Sequence, residues 1–487
     1  MRNLTLLTDY YELLMMQTSY LEYGKDEPYT CFDMFYRRNP FGNGFSVFCG
    51  LNELIEYIKK LRFEKDDIEY LRSLGSFKEE FLEYLSDFKF TGDIYSFVEG
   101  SVVFPNEPII KVIAKIGEAQ LIEAALLSII NHNILIATKA HRIVYAAGDK
   151  PVMEFGLRRS QNVDAGYFGS RAAVIAGCVG TSNVLAAKDF NMVPMGTHAH
   201  SLVMSHESEL EAFRRFAKDY PDNCILLIDT YDTLKSGLEN AIKVFKEMKE
   251  AGIKSKKYGI RLDSGDLAYL SKKIRERFDK EGFNDALICA SNDLDEDIIT
   301  SLKDQGAKID LWGVGTKLIT GDGAGSLGGV YKLSAIKKKG SSEFEPKIKI
   351  SENTEKITNP GDKEIYRIYD KKTGKLIADY ICLATEDAID DKYCANNDLH
   401  LFDPKETWKS TLLKKGEYTS KRVLNKIFEN GNCVFKIQTM DDAKGYLKSE
   451  LSSMWEESKR LVNPHETYVD LSKKLWDLKQ NLLMKKQ

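Results

Sequence analysis

The sequence predicts an α/β protein built around a (β/α) barrel, complete or partial. Two observations carry that expectation. Through residues 136–340 short apolar runs alternate with helical patterns at a spacing of about 25–35 residues, the signature of βα units on a parallel sheet. Polar residues cluster just after each apolar run, where barrel enzymes place their sites. At 487 residues the chain has room for two or three domains. Its texture divides it into 1–135, 136–340 and 341–487.

In the first region, 8–23 reads as a helix. Thr8 or Asp9 can cap it, Leu13, Leu14 and Met16 lie mostly on one side, and Gly24 stops it. Residues 31–36 read as a strand and 39–44, with two glycines, as a loop. The segments 51–62 and 77–86 read as amphipathic helices, 92–108 as strands with turns, and 118–130 as a further helix.

The middle region predicts strands at 225–228, 258–262, 286–290 and 309–314, with 152–155 and 192–195 as two more upstream. Helices at 238–249, 267–278 and 295–303 follow, stopped near Gly252, Gly282 and Gly306. In the last region, 365–369 and 375–381 flank Asp370-Lys371-Lys372-Thr373-Gly374, a hairpin turn. Residues 468–485 read as a basic, solvated amphipathic helix.

Composition excludes several classes. Lys+Arg 69 against Asp+Glu 73 gives a net charge of −4, which argues against a nucleic-acid-coating protein. No apolar run approaches the ~18 residues of a membrane span. The first eleven residues lack the basic start, apolar core and cleavage site of a signal peptide. The expectation is a cytoplasmic protein with neither nucleic acid nor membrane as partner. The eight cysteines form no CxxC pair, so zinc ribbons and disulfide scaffolds are not indicated. Cys178, Cys224 and Cys289 lie in apolar runs and read as buried free thiols.

Five groups of residues could carry chemistry. Gly313-Val314-Gly315-Thr316 follows a strand; its backbone N–H groups and the Thr316 hydroxyl suit a phosphate, and a plain tight turn is the other reading. Asp229, Asp232, Asp263 and Asp266 follow two consecutive strands. Carboxylates there suit sugar hydroxyls or a hydrated Mg²⁺. Asp232 and Asp266 precede helices and read as caps, which leaves Asp229 and Asp263 for the site. Arg261, two residues before Asp263, points to the same face and needs a partner or an anion. Gly196-Thr197-His198-Ala199-His200 places two of seven histidines in five residues. No third metal ligand is evident, so acid–base or nucleophilic work and a plain surface turn are the open readings. Glu154-Phe155-Gly156-Leu157-Arg158-Arg159 offers a ring for stacking and arginines for a carboxylate or phosphate, or else a structural ion pair. Tyr36-Arg37-Arg38-Asn39-Pro40-Phe41 repeats the combination of aromatics with arginines.

These motifs, with Thr8 to Glu12, Gly180-Thr181-Ser182-Asn183, Ser351-Glu352-Asn353 and Thr358-Asn359-Pro360-Gly361, stand in an order that resembles the nicotinate phosphoribosyltransferase family over nearly the whole chain. The resemblance implies a type II phosphoribosyltransferase fold: an α/β class with an irregular or incomplete (β/α) barrel, an N-terminal α/β domain and a C-terminal α+β extension. On that pattern the first helix belongs to the barrel or to a dimer arm. It implies a homodimer with shared active sites. The implied reaction joins nicotinate to 5-phosphoribosyl 1-pyrophosphate, giving nicotinate mononucleotide and pyrophosphate. ATP hydrolysis is coupled through a phosphohistidine, and Mg²⁺ assists. The step belongs to NAD salvage.

Residue by residue, the family's phosphorylated histidine matches His200, and His198 occupies a variable position. Tyr11 and Phe155 match the aromatics that sandwich the pyridine ring. Arg261 and Thr197 match nicotinate contacts, and Arg158 is a further candidate for the anion. Asp229 and Asp263 match the carboxylates near ribose and Mg²⁺, and Gly315 and Thr316 the cradle of the 5-phosphate. The nicotinamide-using relatives carry an acidic residue at the position of Ser182; a neutral Ser182 suits a carboxylate substrate. Quinolinate-using relatives are shorter and lack the histidine pattern. A phosphate-binding isomerase or flavin barrel would explain Gly313 to Thr316 but not the histidine or N-terminal arginine motifs. A catalytically dead scaffold is opposed by the intact His200, Arg261 and Asp263.

Overall fold

The computed structural model describes residues 3–485. The chain forms two compact units. One spans residues 136–325 and is called the half-barrel unit here. The other, the terminal unit, is built from the chain on either side of it.

The half-barrel unit contains a six-stranded parallel sheet. Its strand order is Gly180–Thr181, Val152–Glu154, Leu311–Val314, Leu287–Ala290, Tyr258–Leu262, Cys224–Leu227. The chain lays down Val152–Glu154, adds Gly180–Thr181 beside it, then moves to the far edge and returns strand by strand. The two edge strands do not pair with each other, so the barrel is incomplete. Met153, Ile225 and Cys289 form an apolar cluster with Phe155, Met195, Leu287 and Leu311. The helices Leu238–Glu250, Leu267–Lys280 and Glu296–Asp304 follow the strands as the periodicity predicts. Asp266 and Asp295 cap the latter two by accepting from Tyr269 N at 2.9 Å and Ile298 N at 2.8 Å. Asp232 accepts from Leu234 N and Lys235 N at 3.1 and 2.8 Å, so its capping role also holds.

The strand expected at 192–195 does not form; Gly180–Thr181 takes that place in the sheet. Pro194 has no N–H to donate, and the segment makes only one bridge, to Thr181. Thr181 N donates to Val193 O at 3.1 Å and Met195 N to Thr181 O at 2.8 Å. Past Gly196 the chain reaches the opposite edge, where Leu227 N donates to His198 Nε2 at 3.0 Å. Residues 193–198 thus span the seam between the two unpaired edges.

The terminal unit holds a seven-stranded antiparallel sheet, in the order Glu345–Pro346, Val330–Lys337, Tyr29–Phe35, Ile110–Lys115, Asp93–Ser96, Asn425–Glu429, Asn432–Cys433. Its large core packs that sheet with the helices Leu51–Lys60, Lys65–Ser73 and Glu79–Ser86. The first helix runs Tyr10–Tyr23, with Leu13 and Met16 buried but Leu14 exposed. Asp9 stands at its N-cap without a side-chain bond, and Thr8 Oγ1 donates to Leu121 O instead. The helix expected at 118–130 is two helices, Ile116–Leu121 and Glu123–Ala147. No glycine or proline interrupts 131–147, so the second helix runs on to Gly148.

The expected hairpin forms as Lys363–Asp370 and Leu376–Leu383, with Asp370 Oδ1 accepting from Thr373 N at 2.6 Å. The expected helix at 468–485 is instead the strand Tyr468–Leu471 and the helix Lys473–Lys485, whose Leu475 is wholly buried. Seven cysteines, including Cys178, Cys224 and Cys289, are buried outside any disulfide, and Cys433 is half-buried. Among the described residues no helix is long and apolar enough to cross a membrane.

Candidate active site

The carboxyl ends of adjacent strands in the half-barrel converge on one another. Asp229 follows the edge strand and Asp263 its neighbour. Asp229 Oδ2 accepts from Asp263 N at 2.9 Å and from Ser264 Oγ at 2.6 Å. Its Oδ1 is buried and has no hydrogen-bond partner. Asp263 Oδ1 accepts from Ser291 Oγ at 2.5 Å, which follows the next strand. Asp263 Oδ2 lies 3.9 Å from His200 Nε2. The other ring nitrogen of His200 lies 3.1 Å from Thr230 Oγ1. The Asp263 and His200 side chains are 37% and 41% exposed, so this pair stands open to a ligand while held from behind.

The seam segment sets the flank. His198 is buried between Phe213 and Phe216, its Nε2 committed to Leu227 N. Burial pushes its imidazole down to about 4, so it is neutral at ordinary pH. Its carbonyl accepts from Arg261 Nη2 at 3.0 Å and from Thr197 Oγ1 at 3.3 Å. His198 is thus a brace that places Arg261 and Thr197. Arg261 Nε is buried without a partner, an unused donor of the kind an anion satisfies.

Across the sheet, Phe155 N donates to Val314 O at 2.8 Å. A Cβ on Gly313 would lie 2.8 Å from the Phe155 ring, and one on Gly156 would lie 2.5 Å from Ile319 Cβ, so both glycines are required by close approach. Glu154 beneath them is fully buried. It accepts from Gly156 N, from Thr181 Oγ1 at 2.5 Å and from Ser170 Oγ at 3.0 Å. Burial pushes its carboxyl above the ordinary range. Gly315 and Thr316 open the short helix Thr316–Ile319, which Lys317 ties to Asp295 at 2.5 Å. Arg158 stands exposed in the turn Leu157–Arg159.

Asp229 and Asp263 are thereby joined by a hydrogen bond with His200 3.9 Å from Asp263, Arg261 and Thr197 share the His198 carbonyl, and Phe155, Gly315 and Thr316 sit on neighbouring strand ends. Tyr11 belongs to the terminal unit, half exposed in the first turn of its helix. There Arg37 Nε donates to Glu355 O at 3.1 Å and Arg38 pairs with the Glu355 carboxylate at 3.0 Å. Sequence reasoning did not single out Thr230, Ser264, Ser291 or Glu154 individually. The first three carry the same signal as the aspartates, a polar residue directly after a strand. Glu154 lies inside an apolar strand, where only its burial reveals its work.

Among the described residues no three His, Cys, Asp or Glu side chains gather as a metal cage. The unpaired Asp229 oxygen and the open Asp263 fit a hard cation that keeps water and phosphate oxygens as its other ligands.

Three family models match the chain. They are the nicotinate phosphoribosyltransferase N-terminal domain over residues 6–131, the nicotinate phosphoribosyltransferase family over 151–383, and its C-terminal domain over 362–479. The nicotinate phosphoribosyltransferase of Bacillus subtilis is 46% identical over 98% of this chain and 94% of its own length. That of Dictyostelium discoideum is 33% identical over 98% and 88%. Among solved structures, human nicotinic acid phosphoribosyltransferase superposes with a TM-score of 0.84 at 26% identity, covering 98% of this chain and 99% of that one.

Proposed function

The chain belongs to the nicotinate phosphoribosyltransferase family, and on that premise we propose that it joins nicotinate to 5-phosphoribosyl 1-pyrophosphate at the strand ends of the half-barrel. The products of this step are nicotinate mononucleotide and pyrophosphate, and it serves NAD salvage. The observation that supports the reading most is the Asp229–Asp263–His200 arrangement, with its unpaired carboxylate oxygen and its open histidine.

The chemistry follows from the charges. The pyridine nitrogen donates its lone pair to the anomeric carbon as the bond to pyrophosphate breaks, and positive charge develops on the sugar. Asp229 and Asp263 lie where they can offset that charge, in orientations fixed by Ser264 and Ser291. They would also hold Mg²⁺, which supplies neutralisation of the departing pyrophosphate. The unused Arg261 Nε–H, with Thr197 and Arg158, suits the nicotinate carboxylate. Phe155 and Tyr11 suit the two faces of the ring, and stacking orients it for attack. Tyr11 acts from the partner in a cytoplasmic homodimer. Gly315 and Thr316 suit the 5-phosphate.

ATP enters through His200. With Nδ1 held at Thr230, Nε2 is the nitrogen available to attack the γ-phosphorus of ATP. The bond to ADP breaks, and water later releases phosphate from the histidine. A phosphohistidine adds nearly two negative charges beside the carboxylates, which changes the affinity of the site for anionic substrates and products.

The test is nicotinate mononucleotide formation with and without ATP, using nicotinamide as control acceptor. Product from nicotinate alone, stimulated by ATP, is expected. Preference for nicotinamide would refute the reading of Ser182, and no product from either would refute the function. His200→Ala is expected to retain a slow ATP-independent transfer and lose the stimulation; retained stimulation would sink the phosphohistidine.

A further inference from the structure

The terminal unit contains a pocket lined by none of the candidate active-site residues. It has a volume of about 420 Å³, within the range of small-molecule sites. Four elements bound it: the edge strand Tyr468–Leu471, its neighbour Leu376–Leu383, the strand pair Leu399–Phe402 and Ser410–Leu413, and the turn that begins at Met454. Side chains alternate along the edge strand. Leu471 enters the core of the unit, while Tyr468 and Asp470 line the pocket.

Asp470 is anomalous. It is only 4% exposed, and its Oδ1 is buried with no hydrogen-bond partner. Buried carboxylates are ordinarily paired or hydrogen-bonded, because leaving one unpaired costs the desolvation of the group. Burial, and after it the charge of another acid, Asp403, pushes the Asp470 carboxyl up to about 7. Asp403 is fixed in place by accepting from Lys405 N at 2.7 Å and Glu406 N at 2.8 Å. The one lysine that lines the pocket, Lys409, is committed to Glu406. Among the described residues Asp470 has no ion-pair partner, while the Lys409 ammonium also acts on Asp403 and His465 lines the same pocket.

The walls are of a different character. Leu376, Ile377, Leu401 and Met454 are apolar, and the Trp455 indole is pinned by its Nε1–H to Leu376 O at 2.8 Å. No metal cage of three or more ligating side chains exists among the described residues. Carboxylate acceptors at one end and an aromatic, aliphatic wall at the other match an amphiphilic cation.

We propose that this pocket is a binding site for a small organic cation, an ammonium or guanidinium head on an apolar stem. The head pairs with Asp470 and Asp403, and the stem lies along Trp455 and Met454. This site is independent of the transferase reading.

The experiment is titration of the full-length protein with n-butylguanidinium and n-butylammonium, followed by calorimetry and by tryptophan emission, with n-butanol and Mg²⁺ as controls. Saturable binding of at least one cation is expected, with a millimolar or tighter dissociation constant. Asp470→Asn is expected to weaken it at least tenfold. Asp403→Asn, in a half-buried turn where an amide can still accept the backbone N–H groups, is expected to weaken it severalfold and serves if the first variant fails to fold. Melting curves of both variants without ligand report folding. Absence of saturation with both cations, an equal response to n-butanol or Mg²⁺, or binding undiminished in the folded variants would overturn the proposal.

Discussion

Asp229 and Asp263 in the half-barrel unit, and Asp379 and Glu450 in the terminal unit, are the same functional group in opposite settings. Each pair answers an arginine or histidine close by. Around Arg367 in the terminal unit the charges are paired. Arg367 is fully buried, donating from Nε and Nη2 to Asp379 at 2.8 and 2.7 Å, from Nη1 to Glu450, and from Nη2 to Val102 O at 2.9 Å. Its guanidinium also lies 5.7 and 5.3 Å from the Phe97 and Phe104 ring centres. Burial and Asp379 push the neighbouring Glu107 well above the usual carboxyl range. In the half-barrel one Asp229 oxygen and the Arg261 Nε have no partner, and Asp263 and His200 remain accessible. A satisfied cluster is a brace, and an unsatisfied one at a strand end is a site.

Three measurements can break or sharpen that contrast. The largest effect is expected in the brace. Arg367→Met leaves Asp379 and Glu450 buried without their cation and should lower unfolding stability by about 3–5 kcal/mol, read by urea denaturation. Replacing Arg367, Asp379 and Glu450 together by apolar residues should recover most of that loss. A single variant as stable as the parent would show that water already reaches the cluster.

Next is the site. Asp229→Asn keeps an acceptor for Asp263 N but removes the charge. It should lower kcat/KM for nicotinate mononucleotide formation on the order of 10²–10³-fold, with an unchanged melting temperature. A stability loss like that of Arg367→Met would make Asp229 a brace as well.

The smallest effect concerns His198. Its pKa is about 4 in the folded state against 6.5 for the free group, so the folded state disfavours its protonation. Stability from this group is full above about 6.5 and is lost as pH falls toward 4. Urea midpoints between pH 7.5 and 4.5 should therefore fall less steeply in His198→Asn than in the parent. Equal slopes would remove the brace role.

The parallel elements of the half-barrel were the most legible part of the chain. Tyr258–Leu262 forms as predicted to the residue, and Leu287–Ala290 and Leu311–Val314 fall within their expected runs. Buried parallel strands are continuous apolar runs, and the amphipathic helices between them end in Gly or begin with Asp. Strand ends also made Asp229, Arg261, Asp263 and His200 visible as candidates. The antiparallel sheets were less legible. Ile110–Lys115, whose Lys111 is buried against Asp362 and Glu364, does not read as a buried strand because its charge is answered some 250 positions away.

By itself the sequence determined the fold class, five of the six half-barrel strands in their order along the chain and the residues that follow them, since these depend on local periodicity and on capping. The tertiary structure decided what those residues do for one another. That 193–198 bridges two sheet edges, that His198 braces while His200 stays open, and that Asp470 is buried without a partner all depend on contacts between distant segments. Burial and pairing are properties of the packed chain, and no local pattern encodes which charge will find a partner.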